Sequence, residues 1–190
     1  MAPQRVIYAG SASKTLAPGL RIGWLVVPYD LLDAVTREKR LADLSTAHTI
    51  QYAFADFIAK GYLDRHLRRM RKLYEKRRSA LVGALQEFIP EASVGGVSAG
   101  LHAAVRLPDG HDEREVAAKA VERGIALGTL NRFRMRKHGP ATLLLGYSQT
   151  PESTIVTGIR ELAAAIAPSR TRTAAVPASE FEPGQAGRLG

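Results

Sequence analysis

From Tyr62 to Ile89 the chain carries one sustained amphipathic pattern, and it limits the possible folds more than any other feature. Leu63, Leu67, Met70, Tyr74, Leu81, Leu85 and Phe88 recur at steps of three and four, skipping only Arg77. That spacing lines them along one face of an α-helix. Pro90 ends the pattern, because proline supplies no backbone N–H to carry a helix further. At about 1.5 Å per residue the helix is on the order of 40 Å long. A helix of that length usually bridges two packing units, so the chain is predicted to divide around it.

Ahead of the helix, Val6–Ala9 and Ile22–Val27 are short continuous apolar runs, which read as buried strands. Between them Ser11–Gly19 reads as a loop closed by the turn signal Pro18-Gly19. After Pro28, Asp30 offers an N-cap to a helix reaching about Asp43. A second helix covers about Ile50–Ala59 and stops at Gly61. Behind the long helix the period changes. Leu101–Leu107, Ile125–Leu130 and Thr142–Tyr147 read as strands, and Gly95, Gly96 and Gly100 as turns. Asp112–Arg123 reads as a helix with Val116, Ala120 and Val121 inward. A last helix from Pro151 to about Ala167 carries the stripe Ile155, Ile159, Leu162, Ile166. Residues 169–190 are rich in Pro, Gly, Ser, Thr and Ala and are expected to be a disordered tail.

The order predicts an α/β architecture: an incomplete sheet layer over residues 1–61, the connecting helix over 62–89, a small α+β domain over 90–167 and a tail over 168–190. Two strands with exposed edges make no stable independent layer. The front is therefore expected to be part of a larger sheet whose other strands lie outside this chain.

Composition narrows the function classes. There is no cysteine, which removes disulfides, thiolate zinc sites and cysteine nucleophiles. No apolar run approaches the roughly 20 residues of a membrane span, and the polar start, Met1–Arg5, is no signal peptide. A cytoplasmic location is expected. The net charge is +9. Much of it lies in Arg65, Arg68, Arg69, Arg71, Lys72, Lys76, Arg77 and Arg78, a run that invites a nucleic-acid reading. Its regular apolar face and few aromatics favour a solvated or dimer-facing helix side. His48, His66, His102, His111 and His138 show no metal-ligand spacing. Asp112, Glu113 and Glu115 read as charges at a helix N-terminus rather than a catalytic pair.

The stretch that carries chemistry is Gly10-Ser11-Ala12-Ser13-Lys14-Thr15-Leu16-Ala17-Pro18-Gly19-Leu20-Arg21-Ile22-Gly23-Trp24. Hydroxyls and a lysine follow a strand end, where open α/β sheets bind ligands. Seven residues after Lys14 comes Arg21, whose planar fork suits a phosphate. A lysine beside a phosphate site acts either as a point-charge anchor or as a Schiff-base amine. On composition alone Lys14 is equally a surface lysine in a Ser/Gly loop.

This stretch resembles the lysine motif of fold-type I aminotransferases, which depend on pyridoxal 5'-phosphate (PLP). The run Ser13 to Gly23 is most similar to that of the MocR-type regulators, a GntR subgroup with an aminotransferase-like domain behind a DNA-binding winged helix, and of the aminoadipate/kynurenine aminotransferases. Tyr62-Leu63-Asp64-Arg65-His66-Leu67-Arg68-Arg69-Met70-Arg71, Gly100-Leu101-His102 and Leu145-Gly146-Tyr147-Ser148 resemble further segments of these groups. The resemblance covers about residues 5–167 and implies the C-terminal portion of an aspartate aminotransferase-like fold. It implies that Lys14 forms the internal aldimine and then moves a proton between the substrate Cα and cofactor C4′, and that Ser11 and Arg21, with Ser13, hold the phosphate. It also implies an amino-acid or keto-acid substrate or effector, and a homodimer. DNA contact would come only through an upstream domain this chain lacks.

The family's aspartate against the pyridine nitrogen and its ring-stacking aromatic lie upstream of the lysine and have no counterpart here. Many members also carry a substrate-carboxylate arginine in the strand that reads Thr142-Leu143-Leu144-Leu145-Gly146 here. Arg132, Arg134 and Arg136 just upstream are the substitutes on offer. The missing arginine leans toward the regulator type, and a remnant without activity stays open.

Overall fold

A computed structural model describes residues 4–44, 46–97, 100–135 and 139–167. The expected tail, and Arg136 among the candidate arginines, lie outside the described residues. The chain forms two compact units, Met1–Leu73 and Tyr74–Gly190.

The first unit opens with strands β1 (Tyr8–Ser11) and β2 (Gly23–Val26), paired antiparallel with Tyr8 opposite Val26 and Ser11 opposite Gly23. Helices α1 (Leu32–Asp43) and α2 (His48–Ala59) follow, and the first turns of α3 (Tyr62–Phe88) close the unit. Both strands were expected to be buried and are not. Val6, Ile7, Tyr8, Trp24, Leu25 and Val26 are all exposed. Among the described residues of this unit only Ala12 and Pro28 are buried. A two-strand ribbon offers each strand one neighbour, so apolar runs suited to a sheet interior stand uncovered. Asp30 does not cap α1. It lies inside a 3-10 turn, Tyr29–Leu31, and α1 starts without a side-chain cap.

The second unit holds the packed core. Strands β3 (Ser93–Gly95), β4 (His102–Arg106), β5 (Gly128–Thr129) and β6 (Thr142–Gly146) form an antiparallel sheet in the order β3-β4-β6-β5. Register pairs Ala103 with Leu145 and Val105 with Leu143, and all four are buried, as strand alternation requires. They join Leu81, Leu85 and Ile89 from the end of α3, Val116 and Ala120 from α4 (Glu113–Glu122), and Ile155, Ile159, Leu162 and Ile166 from α5 (Glu152–Ile166) in one cluster. Fully burying a large aliphatic side chain is worth about 1.5–3 kcal/mol. Leu85, Ile89, Leu107, Leu143 and Leu162 are each essentially inaccessible, so this cluster is the main source of stability in the unit.

Three local expectations change here. Val121 points outward, 65% exposed, because the buried line of α4 runs through Glu113, Val116 and Ala120 and the next residue is turned about 100° away. The strand expected over Ile125–Leu130 shrinks to Gly128–Thr129, after which the chain turns into a 3-10 segment, Leu130–Arg132. The region read as glycine turns contains β3. Among the described residues no helix is long and apolar enough to cross a membrane, and no cluster of potential metal ligands occurs.

Candidate functional site

The connector from β1 to β2 is built around Ala12. Its N–H donates to the Ile22 carbonyl at 3.0 Å, extending the ladder one step past Ser11 and Gly23. Its own carbonyl accepts from the Leu16 N–H at 2.9 Å and from the Thr15 hydroxyl at 3.4 Å. Ala12 is fully inaccessible, so the site accepts no larger side chain without displacing its surroundings. Lys14 occupies the middle of the turn that Ala12 and Leu16 close, and it is exposed. On the far side His66 of α3 donates from Nε2 to the Thr15 carbonyl at 3.0 Å, tying the turn to the helix. The sequence shows of His66 only that it lacks metal-ligand spacing; its contact across 51 residues had no local signal.

Arg21 ends a 3-10 turn, Pro18–Leu20, with φ 51° and ψ 33°. This is the left-handed region, sparsely used by non-glycine residues. The conformation lets the chain reverse into β2 while the Arg21 N–H reaches the Pro18 carbonyl at 3.4 Å. Ser11 ends β1, and its Oγ accepts from the Ser13 N–H at 3.1 Å, leaving the hydroxyl proton free to donate.

The antiparallel register thus brings Ser11, Ser13, Lys14 and Arg21 to one end of the hairpin. Lys14 and Arg21 are both exposed, and neither amine nor guanidinium makes a hydrogen bond or ion pair among the described residues. An open cleft of about 840 Å³ is lined by Arg21, Ile22, Gly23 and Trp24 together with Ile50 and Phe54 of α2. Lys14 is not part of its lining. In donor chemistry the set is one nucleophilic amine, one guanidinium fork and two hydroxyls, which fits an aldehyde carrying an anionic phosphate ester.

The arginines offered for a substrate carboxylate differ. Arg132 is exposed in its 3-10 segment. Arg134 is committed locally: its Nη atoms donate to Asn131 Oδ1 and the Pro140 carbonyl, both at 2.8 Å, and to Thr142 Oγ1 at 3.4 Å. Two members of the basic run on α3 also turn inward. Arg77 donates to the Ser148 carbonyl, and Arg78 to the Val97 carbonyl at 3.1 Å.

Comparison with known proteins places the chain in a class. The family model for aminotransferase class I and II matches residues 1–156, and the chain belongs to that family. It is 34% identical over 167 residues to aromatic-amino-acid aminotransferase 1 of Thermococcus litoralis, covering 85% of this chain and 39% of that protein. It is 32% identical to the probable rhizopine catabolism regulatory protein MocR of Rhizobium meliloti, covering 85% and 33%. The structure of Pyrococcus horikoshii kynurenine aminotransferase in complex with PMP superimposes with a TM-score of 0.79 at 35% identity, over 86% of this chain and 41% of that one. The chain thus spans some two fifths or less of the length of these relatives, and the fold described is a part of the aminotransferase fold.

Proposed function

We propose that this chain is a PLP-binding aminotransferase-type domain in which Lys14 holds the cofactor aldehyde and Ser11 and Arg21 hold its phosphate, with Ser13 bracing Ser11. The observation that supports it most is the pairing of β1 with β2, which leaves Lys14 and Arg21, both without a side-chain partner among the described residues, in one hairpin connector. When bound, the cofactor supplies an electron sink for chemistry at an amino acid's α-carbon. Lys14 is the nucleophile that retains the cofactor and, when released, the base that takes the proton from the substrate Cα. Arg21 would hold the phosphate through its guanidinium, and Ser11 would donate its hydroxyl proton to the same group.

A second reading is favoured by one observation. Strand β6 presents Leu143, Leu144 and Leu145, with no cation for a substrate carboxylate, and Arg134 is occupied by its own loop. That suits an effector-sensing domain of a MocR-type regulator, in which the cofactor chemistry serves sensing. In either reading we place the protein in the cytoplasm as a homodimer.

The test is reductive trapping. The purified chain is incubated with PLP, reduced with borohydride and mapped by peptide mass spectrometry. The expected adduct sits on Lys14 and is lost in Lys14→Ala. Labelling scattered over surface lysines and unchanged by Lys14→Ala would leave only common ancestry, as in an inactive remnant. Release of pyridoxamine phosphate after adding a panel of amino acids separates the enzyme from the sensor.

A further inference from the structure

Arg65, Arg68, Arg69 and Lys72 fall at spacings of three, four and seven along α3. At about 100° per residue they share one helix face. Leu63, Leu67 and Met70, all half-buried, occupy the opposite face. All four cations are exposed, and none makes an ion pair among the described residues. Asp64, placed four residues before Arg68, is not bonded to it; among the described residues the group's one partner is the Tyr62 ring beneath Arg65.

On three other helices at least one lysine is paired with a carboxylate. Lys39 pairs with Asp43 on α1, Lys60 with Asp56 at the end of α2, and Lys119 with Glu115 on α4. Like charges three and four residues apart repel and destabilise a helix. An unrelieved stripe of them is a surface whose neutralising partner is an external anion. Seven residues rise about 10 Å, close to three base-pair rises of about 3.4 Å along the duplex axis. Three of the four cations are arginines, whose forks grip phosphates bidentately. A membrane surface fits less well, since an interfacial helix needs its apolar face free to insert and here Leu63, Leu67 and Met70 are already half-buried.

We propose that the Arg65–Lys72 face of α3 binds the phosphate backbone of duplex DNA, without base readout. This departs from the solvated or dimer-facing reading of the run. The structure adds the alignment of four cations and their lack of pairing. None of the four stripe cations is among the proposed cofactor residues, and Lys14→Ala removes none of them.

Because a chain of charge +9 associates weakly with any polyanion, the test compares variants of equal net charge. Binding of a fluorescein-labelled duplex to the full chain is followed by anisotropy across a salt series. The variant R65Q/R68Q/R69Q/K72Q is expected to bind at least about tenfold more weakly at low salt, with the slope of log K against log salt reduced by about three to four. The control R37Q/R40Q/R106Q/R114Q, also exposed positions, changes binding less than about twofold. R65K/R68K/R69K, which keeps the charge, retains most of the affinity, and circular dichroism confirms that all variants fold alike. Equal weakening by stripe and control variants would overturn the proposal. So would stripe-dependent binding to phosphatidylserine vesicles with none to DNA.

Discussion

Glu113 and Thr142 are joined by a hydrogen bond of 3.0 Å from the Thr142 backbone N–H to Glu113 Oε2, while Oε1 accepts from the Asn131 N–H, also at 3.0 Å. The carboxylate is 3% exposed. One side chain at the start of α4 therefore holds both ends of the segment that carries Arg132 and Arg134. Buried charge-assisted bonds of this kind leave two stranded donors when the acceptor is removed. Glu113→Ala is expected to lower stability by about 2–4 kcal/mol, read by urea denaturation followed by far-ultraviolet circular dichroism. Unchanged stability would show that the two N–H groups find other partners.

Gly10 lies opposite Trp24 in the hairpin register, and a Cβ at position 10 would fall inside the indole. Gly10→Ala is expected to drive the ring off the strand at a cost of about 1 kcal/mol, with tryptophan emission moving to longer wavelength. Wild-type emission from the variant would mean that the ring does not rest on that backbone.

Arg21 combines a left-handed backbone with a candidate phosphate-binding side chain, and two substitutions separate them. Arg21→Gly relieves the backbone and removes the guanidinium. It is expected to leave the hairpin as stable as wild type or better, while weakening PLP binding about tenfold to a hundredfold. Arg21→Val, β-branched in the left-handed region, is expected to lose stability as well as binding. Equal PLP affinity in wild type and Arg21→Gly would remove Arg21 from the site.

His66 anchors the lysine turn through the Thr15 carbonyl. His66→Ala removes a bond worth about 0.5–1.5 kcal/mol and loosens the turn locally. Amide hydrogen exchange is expected to quicken at Leu16, whose N–H closes that turn on Ala12, while Leu143 and Val105 in the core keep their protection.

Much of this fold was readable because periodicity is a local property. The long helix ends within a residue of its expected bounds, since Leu63 through Phe88 repeat with only Arg77 skipped and Pro90 stops them. The stripe Ile155–Ile166 is buried as expected. What stayed hidden depends on partners distant in sequence. Nothing in Val6–Ala9 or Ile22–Val27 says which way the second strand runs, so the antiparallel pairing that puts Lys14 and Arg21 in one hairpin connector had to be seen. An apolar run also looks alike whether or not a neighbouring layer covers it. Glu113 sits among acidic neighbours that mark a helix start, and nothing local distinguishes the one carboxylate that turns inward. Arg77 and Arg78 were submerged in a basic run for the same reason. Their carbonyl partners, Ser148 and Val97, lie 71 and 19 residues away.

Trp24 is the sole tryptophan of the chain, and it lies against Gly10, on the strand that leads to Lys14. Its glow under ultraviolet light thus comes from a single address, a few residues from the proposed cofactor lysine. A chromophore absorbing in the near ultraviolet and settling there would drain that light by energy transfer, so dimming of the native chain measures occupancy without any attached dye.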